Sequence, residues 1–223
     1  MARQKIDKDR TINSIMEKEE KIAEFVGIML GDGHIGIYNT KAGEKLKVHR
    51  SIKVSLDSRN KDYINHVKKI MEEVLDTEMK LNYKKTENAI DICTHKKEKL
   101  SYVLNEIGLK MSPKWNSMEI PEKYCKGKLG LIVLKGLFDT DGCLSIFDNN
   151  GIIYPRIEIR LCPSPAQEQI NKILNEFGFK YKIQRLERGK TRIRISGKRE
   201  LKKWFDLVGS SNPVHVEKSR RFL

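Results

Sequence analysis

A nine-residue pattern occurs twice in this chain. It reads Phe25-Val26-Gly27-Ile28-Met29-Leu30-Gly31-Asp32-Gly33 the first time and Leu134-Lys135-Gly136-Leu137-Phe138-Asp139-Thr140-Asp141-Gly142 the second, 109 residues later. Each copy is an apolar, helix-like run that ends in an Asp-Gly pair. Small residues stand four apart in both, Gly27 with Gly31 and Gly136 with Thr140. That spacing leaves a flat stripe on which two helices approach closely, a steric effect best known between membrane helices but not confined to them. Packed stripe to stripe, the two helices end side by side, and Asp32 and Asp141 meet around a pseudo-two-fold axis.

The order of elements repeats with the motif. A basic lead-in, residues 1–14, precedes a helix that runs from about Ser14 and places Ile22, Phe25, Val26, Met29 and Leu30 on one face. Gly33 stands where a left-handed residue would cap it. Strands follow over 34–57, with a turn at Thr40–Lys45. A helix over 58–75 has Tyr63, Ile64, Val67, Ile70, Met71 and Val74 inside. A hairpin over 78–94 turns at Lys85–Asn88 and alternates Met79, Leu81 and Tyr83 with Lys80, Asn82 and Lys84. A helix over 96–107 stops at Gly108, and residues 109–125, with Pro113 and Pro121, read as a connector. A helix then leads into the second motif and two strands follow (143–148, 152–162), Ile157, Ile159 and Leu161 facing inward. A helix (165–177), a hairpin (180–196) and a last helix (198–208) complete the second half. Each half is therefore α-β-β-α-β-β-α, and the fold class expected is α+β. Two pseudo-symmetric repeats, 15–108 and 126–223, form a saddle of antiparallel sheets around the central pair of motif helices. A period this long fits a duplicated domain rather than a solenoid.

Charge points to a partner. The 223 residues carry 44 Lys and Arg against 30 Asp and Glu, a net charge of +14. A surplus of that size attracts polyanions. No apolar run reaches the roughly 18 residues of a membrane helix. The charged first residues lack a signal core, so a cytoplasmic protein, nucleoid-associated when bound to DNA, is expected. Four scattered cysteines offer neither zinc spacing nor a disulfide framework.

An Asp at a helix C-terminus is electrostatically misplaced, by roughly 0.3–1 kcal/mol against the macrodipole. Finding it twice breaks a local rule in the way functional sites do. A divalent cation reverses the sign of that cost. The two carboxylates, with the carbonyls of Gly31 and Thr140 before them, are hard oxygen ligands suited to Mg²⁺, with Mn²⁺ as the alternative. Carboxylate-held metal ions are an established device for phosphodiester hydrolysis.

The two nonapeptides, with the α-β-β-α-β-β-α order across roughly residues 15–220, resemble the LAGLIDADG homing endonucleases in their single-chain, two-motif (DOD-type) form. The second copy is close to the family pattern. The first is looser, with Leu30 where many members carry an acid. The resemblance implies that the last acids, Asp32 and Asp141, are the catalytic metal ligands. Asp139 is then a lesser acid, expected at the helix surface or in a local hydrogen bond. It also implies basic groups near the scissile phosphates: Lys53 and Lys114 in the first repeat, and Arg160 with His215 or Lys218 in the second.

The outward strand positions supply a DNA face: Ser51, Lys53, Ser55, Lys80, Asn82, Lys84, Arg156, Glu158, Arg160, Lys182, Gln184, Arg192 and Arg194. Strands of this kind enter a major groove, and Arg, Lys, Asn and Gln read base edges there. Tyr38 and Phe147, on the strands after the motifs, are expected as packing residues rather than stacking platforms. The function expected is a monomeric, Mg²⁺-dependent, site-specific endonuclease that cuts both strands of a long double-stranded DNA target. The alternative is a non-cutting binder of the same fold, such as a maturase for intron RNA. No Cys or Ser begins the chain and no His-Asn ends it, so an intact intein is not expected, and no helix-turn-helix domain of a transcription regulator is expected beside the repeats.

Overall fold

The computed structural model describes residues 2–42, 45–84 and 87–223. The expected turns at Thr40–Lys45 and Lys85–Asn88 lie partly outside the described residues. Helix α1 (Ala2–Leu30) leads into β1 (Gly33–Ala42) and β2 (Lys45–Asp57), then α2 (Lys61–Leu75), β3 (Lys80–Tyr83), β4 (Ala89–Thr94) and α3 (Lys97–Tyr102), which loosens into a π-turn over Val103–Ile107. The second half repeats this with α4 (Gly127–Asp141), β5 (Gly142–Asn149), β6 (Ile152–Leu161), α5 (Ala166–Glu176), β7 (Tyr181–Arg185), β8 (Thr191–Ser196) and α6 (Lys198–Leu207). The fold is α+β, with two four-stranded antiparallel sheets ordered β1-β2-β4-β3 and β5-β6-β8-β7. Helical backbone reaches back to Ala2, well before Ser14.

Period and capping set these elements. In α2 the buried residues are Tyr63, Ile64, Val67, Ile70, Met71, Val74 and Leu75, a 3.6-residue stripe. Asn60 caps its start by accepting from the Tyr63 amide, and Asp76 ends it in the left-handed region. In β2 and β6 the inward residues Ile52, Val54, Ile157 and Ile159 are each at most 1% exposed. Burying side chains of this size contributes about 1.5–3 kcal/mol apiece.

The alternation overestimates burial at the strand ends. Val48, Leu81, Tyr83 and Ile183 carry the inward parity or an apolar side chain, yet each is more than a third exposed. Both faces of β3, an edge strand, are open. Alternation reports which side a residue takes. It does not report how far the covering helices extend along the sheet.

Gly33 corrects a second expectation. It does not have positive φ, nor does its counterpart Gly142, and both begin strands directly, Gly142 at φ −84° and ψ 164°. The need for glycine is steric. A Cβ on Gly33 would lie 2.5 Å from the Met29 carbonyl oxygen, and one on Gly142 would lie 2.4 Å from that of Phe138. The chain turns so tightly off each motif helix that it grazes the turn it has just left.

The segment between the halves is tied to both. The Ser112 amide donates to the Ile35 carbonyl (2.8 Å) and the Asn116 amide to that of Pro163 (2.7 Å). Gln169 pairs with the Ile120 backbone through both of its amide atoms, at 2.8 Å each. A seventh helix, α7 (Pro213–Ser219), was not expected. Its signal was present, because Asn212 accepts from the Val214 amide as N-cap and Pro213 stands at the first helical position.

Candidate active site

The two motif helices pack along their small residues. A Cβ added to Gly27 would lie 2.1 Å from the Val133 carbonyl oxygen, and one on Gly136 would lie 2.4 Å from that of Glu24. A Cβ on Gly31 would overlap the Thr140 hydroxyl and come within 3.5 Å of the Asp141 amide. The carboxyl ends of α1 and α4 are thus adjacent, and they deliver Asp32 and Asp141 to one place.

Both acids are electrostatically uncomfortable there. Burial pushes the Asp32 carboxyl up to about 6, the charge of Asp141 pushes in the same direction, and Lys114 opposes both. Asp141 keeps an exposed edge, but the protein packed around it still raises its pKa, again against the pull of Lys114. Like charges held close disfavour a shared ionised state unless a cation intervenes.

Lys114 is the cation present. Its ammonium donates to the carbonyls of Leu30 (2.9 Å) and Gly31, with Met29 at 3.5 Å. It thereby satisfies the last carbonyls of α1, where the macrodipole is negative. Burial lowers its own pKa, while Asp141 and Asp32 raise it. The Gly31 oxygen, expected as a metal ligand, is engaged by this ammonium. The Thr140 hydroxyl turns back to donate to the carbonyls of Gly136 and Leu137.

The remaining basic candidates are dispersed. Lys53 is paired with Asp91 at 3.2 Å. Arg160 is exposed at the mouth of an open cleft of about 700 Å³ that also holds Trp115, Cys162, Arg188 and Lys190. Lys218 lies on the exposed side of α7. His215 is buried against the Phe138 ring, 4.3 Å between centroids, with Nδ1 3.7 Å from Asp139.

Asp139 departs from its expected role. It is 2% exposed, and its carboxylate accepts from the Ser210 hydroxyl and the Ser211 amide (2.7 Å), while Asn212 donates to its carbonyl (2.9 Å). These partners lie some seventy residues downstream, so no local pattern could reveal them. Glu24 forms a second buried node, and this one joins the halves. It pairs with His66 (2.7 Å) and Lys135 (2.9 Å) and accepts from the Ser211 hydroxyl (3.1 Å).

His34 was passed over. It stands two residues after Asp32, directly across from Lys53, and the charges of Lys53 and Lys114 add to burial in lowering its pKa. The period-two rule applied to β1 would have placed it on the Lys53 face.

Strand register gathers the polar positions into rows. Lys53 lies opposite Cys93, which lies opposite Lys80; Ser55, Asp91 and Asn82 form the next row. In the other sheet Glu158, Arg194 and Lys182 align, then Arg160, Arg192 and Gln184. Ser51 shares the face but is only 5% exposed; the His34 ring lies against Gly36, its cross-strand neighbour. One acid organises each face. Asp91 holds Lys53, Ser55 and, at 3.8 Å, Lys84. Glu158 accepts from Arg194 at 2.7 Å, with Arg156 and Arg192 within 4.0 Å.

Tyr38 and Phe147 are not core packing residues. They are 49% and 40% exposed on this polar face. The Tyr38 ring stacks on His49 at 5.1 Å and 6°, and the Arg156 guanidinium lies 4.0 Å from the centre of the Phe147 ring.

A family model described as the LAGLIDADG DNA endonuclease family matches residues 23–203. The chain belongs to this family. Its two LAGLIDADG helices are α1 and α4, and the matched span takes in both sheets. No curated protein sequence matches the chain. Solved structures share the fold at low identity. The I-LtrWI LAGLIDADG homing endonuclease bound to target DNA superposes with a TM-score of 0.65 at 11% identity, covering 90% of this chain and 88% of that one. I-DmoI in complex with DNA and Mn gives 0.61 at 17% identity, covering 86% and 97%. I-GzeII in complex with its DNA target gives 0.63 at 10% identity, covering 87% and 86%. Among the described residues, no helix is long and apolar enough to cross a membrane.

Proposed function

We propose that this LAGLIDADG protein is a monomeric, site-specific endonuclease that hydrolyses both strands of a long double-stranded DNA target with a divalent cation, Mg²⁺ being the ion used. The observation that carries the reading is the pair of acids at the LAGLIDADG helix ends, both raised in pKa and facing a single ammonium.

The donor set suits such an ion. Asp32 and Asp141 are hard carboxylate donors whose mutual repulsion a divalent charge relieves. Among the described residues no third His, Cys, Asp or Glu completes an all-protein cage. That is the pattern of Mg²⁺, which is bound through one or two carboxylates and keeps waters and substrate phosphate oxygens in its remaining positions. When bound, it would supply Lewis-acid stabilisation of phosphate charge and a water acidified for attack.

The protein's own groups have distinct tasks. Lys114, held on the α1 carbonyls, places a fixed positive charge beside both acids, where negative charge grows on a phosphate in the transition state. Lys53 adds positive charge on β2, and His34 across from it on β1, its pKa held below the ordinary value by burial and by Lys53 and Lys114, offers a neutral ring nitrogen rather than a charge. The two Arg- and Lys-bearing faces hold the duplex through phosphate contacts and base edges, and +14 of net charge favours encounter.

The experiment is cleavage of DNA with and without divalent metal. A plasmid library carrying random inserts, challenged with protein and Mg²⁺, should be linearised at a restricted set of sequences, with EDTA abolishing the cut. D32N or D141N should lose double-strand cutting while retaining DNA binding in Ca²⁺. A protein that binds its best site saturably but cuts neither strand in Mg²⁺ or Mn²⁺ would refute the nuclease reading. Acceleration of intron splicing by the D141N protein would instead establish the RNA-binding alternative.

A further inference from the structure

Tyr38 and Phe147 occupy the same place in the two repeats, six residues beyond the motif acid. Each lies at the outer part of its hairpin, on the polar side, and each carries a nitrogen-bearing group on its ring. Phe147 is paired with Tyr154, and the Arg156 guanidinium, one step along β6, covers the Phe147 ring at 4.0 Å. Tyr38 is paired with His49, and the two rings lie nearly parallel, 5.1 Å apart.

The two nitrogen groups differ in what they leave free. Among the described residues Arg156 makes no side-chain hydrogen bond; its nearest acid, Glu158, is 3.8 Å away, beyond hydrogen-bond reach. Arg194 and Arg192 flank the same Glu158, and Arg194 is bonded to it directly. A guanidinium lying over an aromatic ring is restricted in its rotamers, while its N–H fork is left unspent. A rigid, unspent fork on a strand that faces a major groove matches the paired O6 and N7 acceptors of guanine. His49, by contrast, shares Nε2 with the Thr40 hydroxyl at 2.8 Å, so a single ring nitrogen remains.

We infer that Phe147 is a specificity-positioning residue: its ring holds Arg156 edge-on to read one guanine in the half-site contacted by the second sheet, while Tyr38 and His49 make a weaker, single-bond reading at the pseudo-symmetric position. This rests on the double-stranded DNA reading above and adds to it which base pair is read most strongly, and by what support.

The test is a base-preference profile. A random-sequence duplex library selected in Ca²⁺ gives the preferred site, and competitor duplexes carrying each single base-pair change give the preference at every position. Wild-type protein should favour guanine at one position of one half-site by about 5- to 150-fold, the range of a good bidentate contact. R156Q and F147L should both flatten that same position to within about 2-fold and leave the others unchanged. F147Y, which keeps the ring, should restore it. Y38L should cause a smaller loss in the other half-site. The proposal is overturned if F147L leaves the profile intact, if it weakens binding equally at all positions, or if F147L and R156Q act at different positions. A wild-type protein that selects no sequence at all refutes the DNA reading and this proposal with it, whereas a normal consensus insensitive to F147L refutes the proposal alone. An unchanged melting temperature for F147L shows that the folded state is the one being profiled.

Discussion

Replacing Gly136 by Ala probes the seam on which the candidate site depends. The added Cβ would lie 2.4 Å from the Glu24 carbonyl oxygen, 2.8 Å from the Ile28 nitrogen and 3.1 Å from the Gly27 Cα. Ordinary contact begins near 3.4 Å, so the methyl is about 1 Å too deep, and every obstructing atom is backbone. No rotamer can relieve it, and the two LAGLIDADG helices must separate. Overpacking of this kind costs about 1–3 kcal/mol and sometimes more. Ala returns about 1 kcal/mol of helix propensity over Gly. With only backbone in the way the cost belongs at the upper end of that range, about 3 kcal/mol, so the net loss should be about 2 kcal/mol, or roughly 4–8 °C in melting temperature for a chain of this size. Gly130 on the same helix is the internal control. There a Cβ meets the Ile173 side chain at 3.2 Å, which can give way, and G130A should be neutral or stabilising by up to about 1 kcal/mol. Urea unfolding of both variants in EDTA measures the difference. If G136A lies within about 0.5 kcal/mol of G130A, the glycine seam does not set the helix approach.

Three further outcomes follow from the site. Asp32 has its pKa raised from 3.8 to about 6, so its ionisation destabilises the folded state; the penalty is absent below about pH 4, grows between 4 and 6, and is complete above. In EDTA, D32N should therefore exceed wild type by about 1–3 kcal/mol at pH 8, allowing for partial solvent screening, and the two urea-unfolding curves should merge near pH 4; a gap independent of pH would refute the assignment. K114M should slow single-turnover cleavage about 10²- to 10³-fold, with affinity for the same duplex in Ca²⁺ changed by less than about 5-fold; parallel loss of both would make Lys114 a binding residue. D139A leaves the half-buried Ser211 amide and Ser210 hydroxyl without their acceptor and should cost about 1–3 kcal/mol in urea unfolding, with D139N recovering part of it through its remaining oxygen.

Much of this architecture was legible because the relevant signals are short-range and periodic. The helical stripe of α2 and the inward Ile157-Ile159-Leu161 row are local patterns, and the four-residue spacing of Gly27, Gly31, Gly136 and Thr140 states the helix seam outright. What escaped depends on residues far apart in sequence. Nothing around Asp139 announces that Ser210, Ser211 and Asn212 will fold over it, and nothing around Lys114 announces that its ammonium will cap α1. Gly33 differs for another reason. Glycine after a helix usually signals a left-handed cap, yet here it marks contact with the preceding turn. Tyr38 and Phe147 stand on the polar face because they share the parity of His34 and of Arg156's partner Ser145; alternation applied to β1 and β5 places them there, where an aromatic ring stacks on its neighbours instead of entering the core.

The ends of the two halves are latches of opposite polarity. In the first half the tail carries the cation: Lys114, just past Gly108, clips onto the carbonyls that finish α1. In the second half the helix carries the anion: Asp139 catches the hydroxyl and amide of the tail that follows Gly209. Each half thus closes back over its own motif helix, and the natural module boundary for exchanging halves falls beyond the tail rather than at the glycine that ends the last helix. A chimera joined at Gly108 would leave α1 unclasped, whereas one joined after Ile120 would carry its fastener with it.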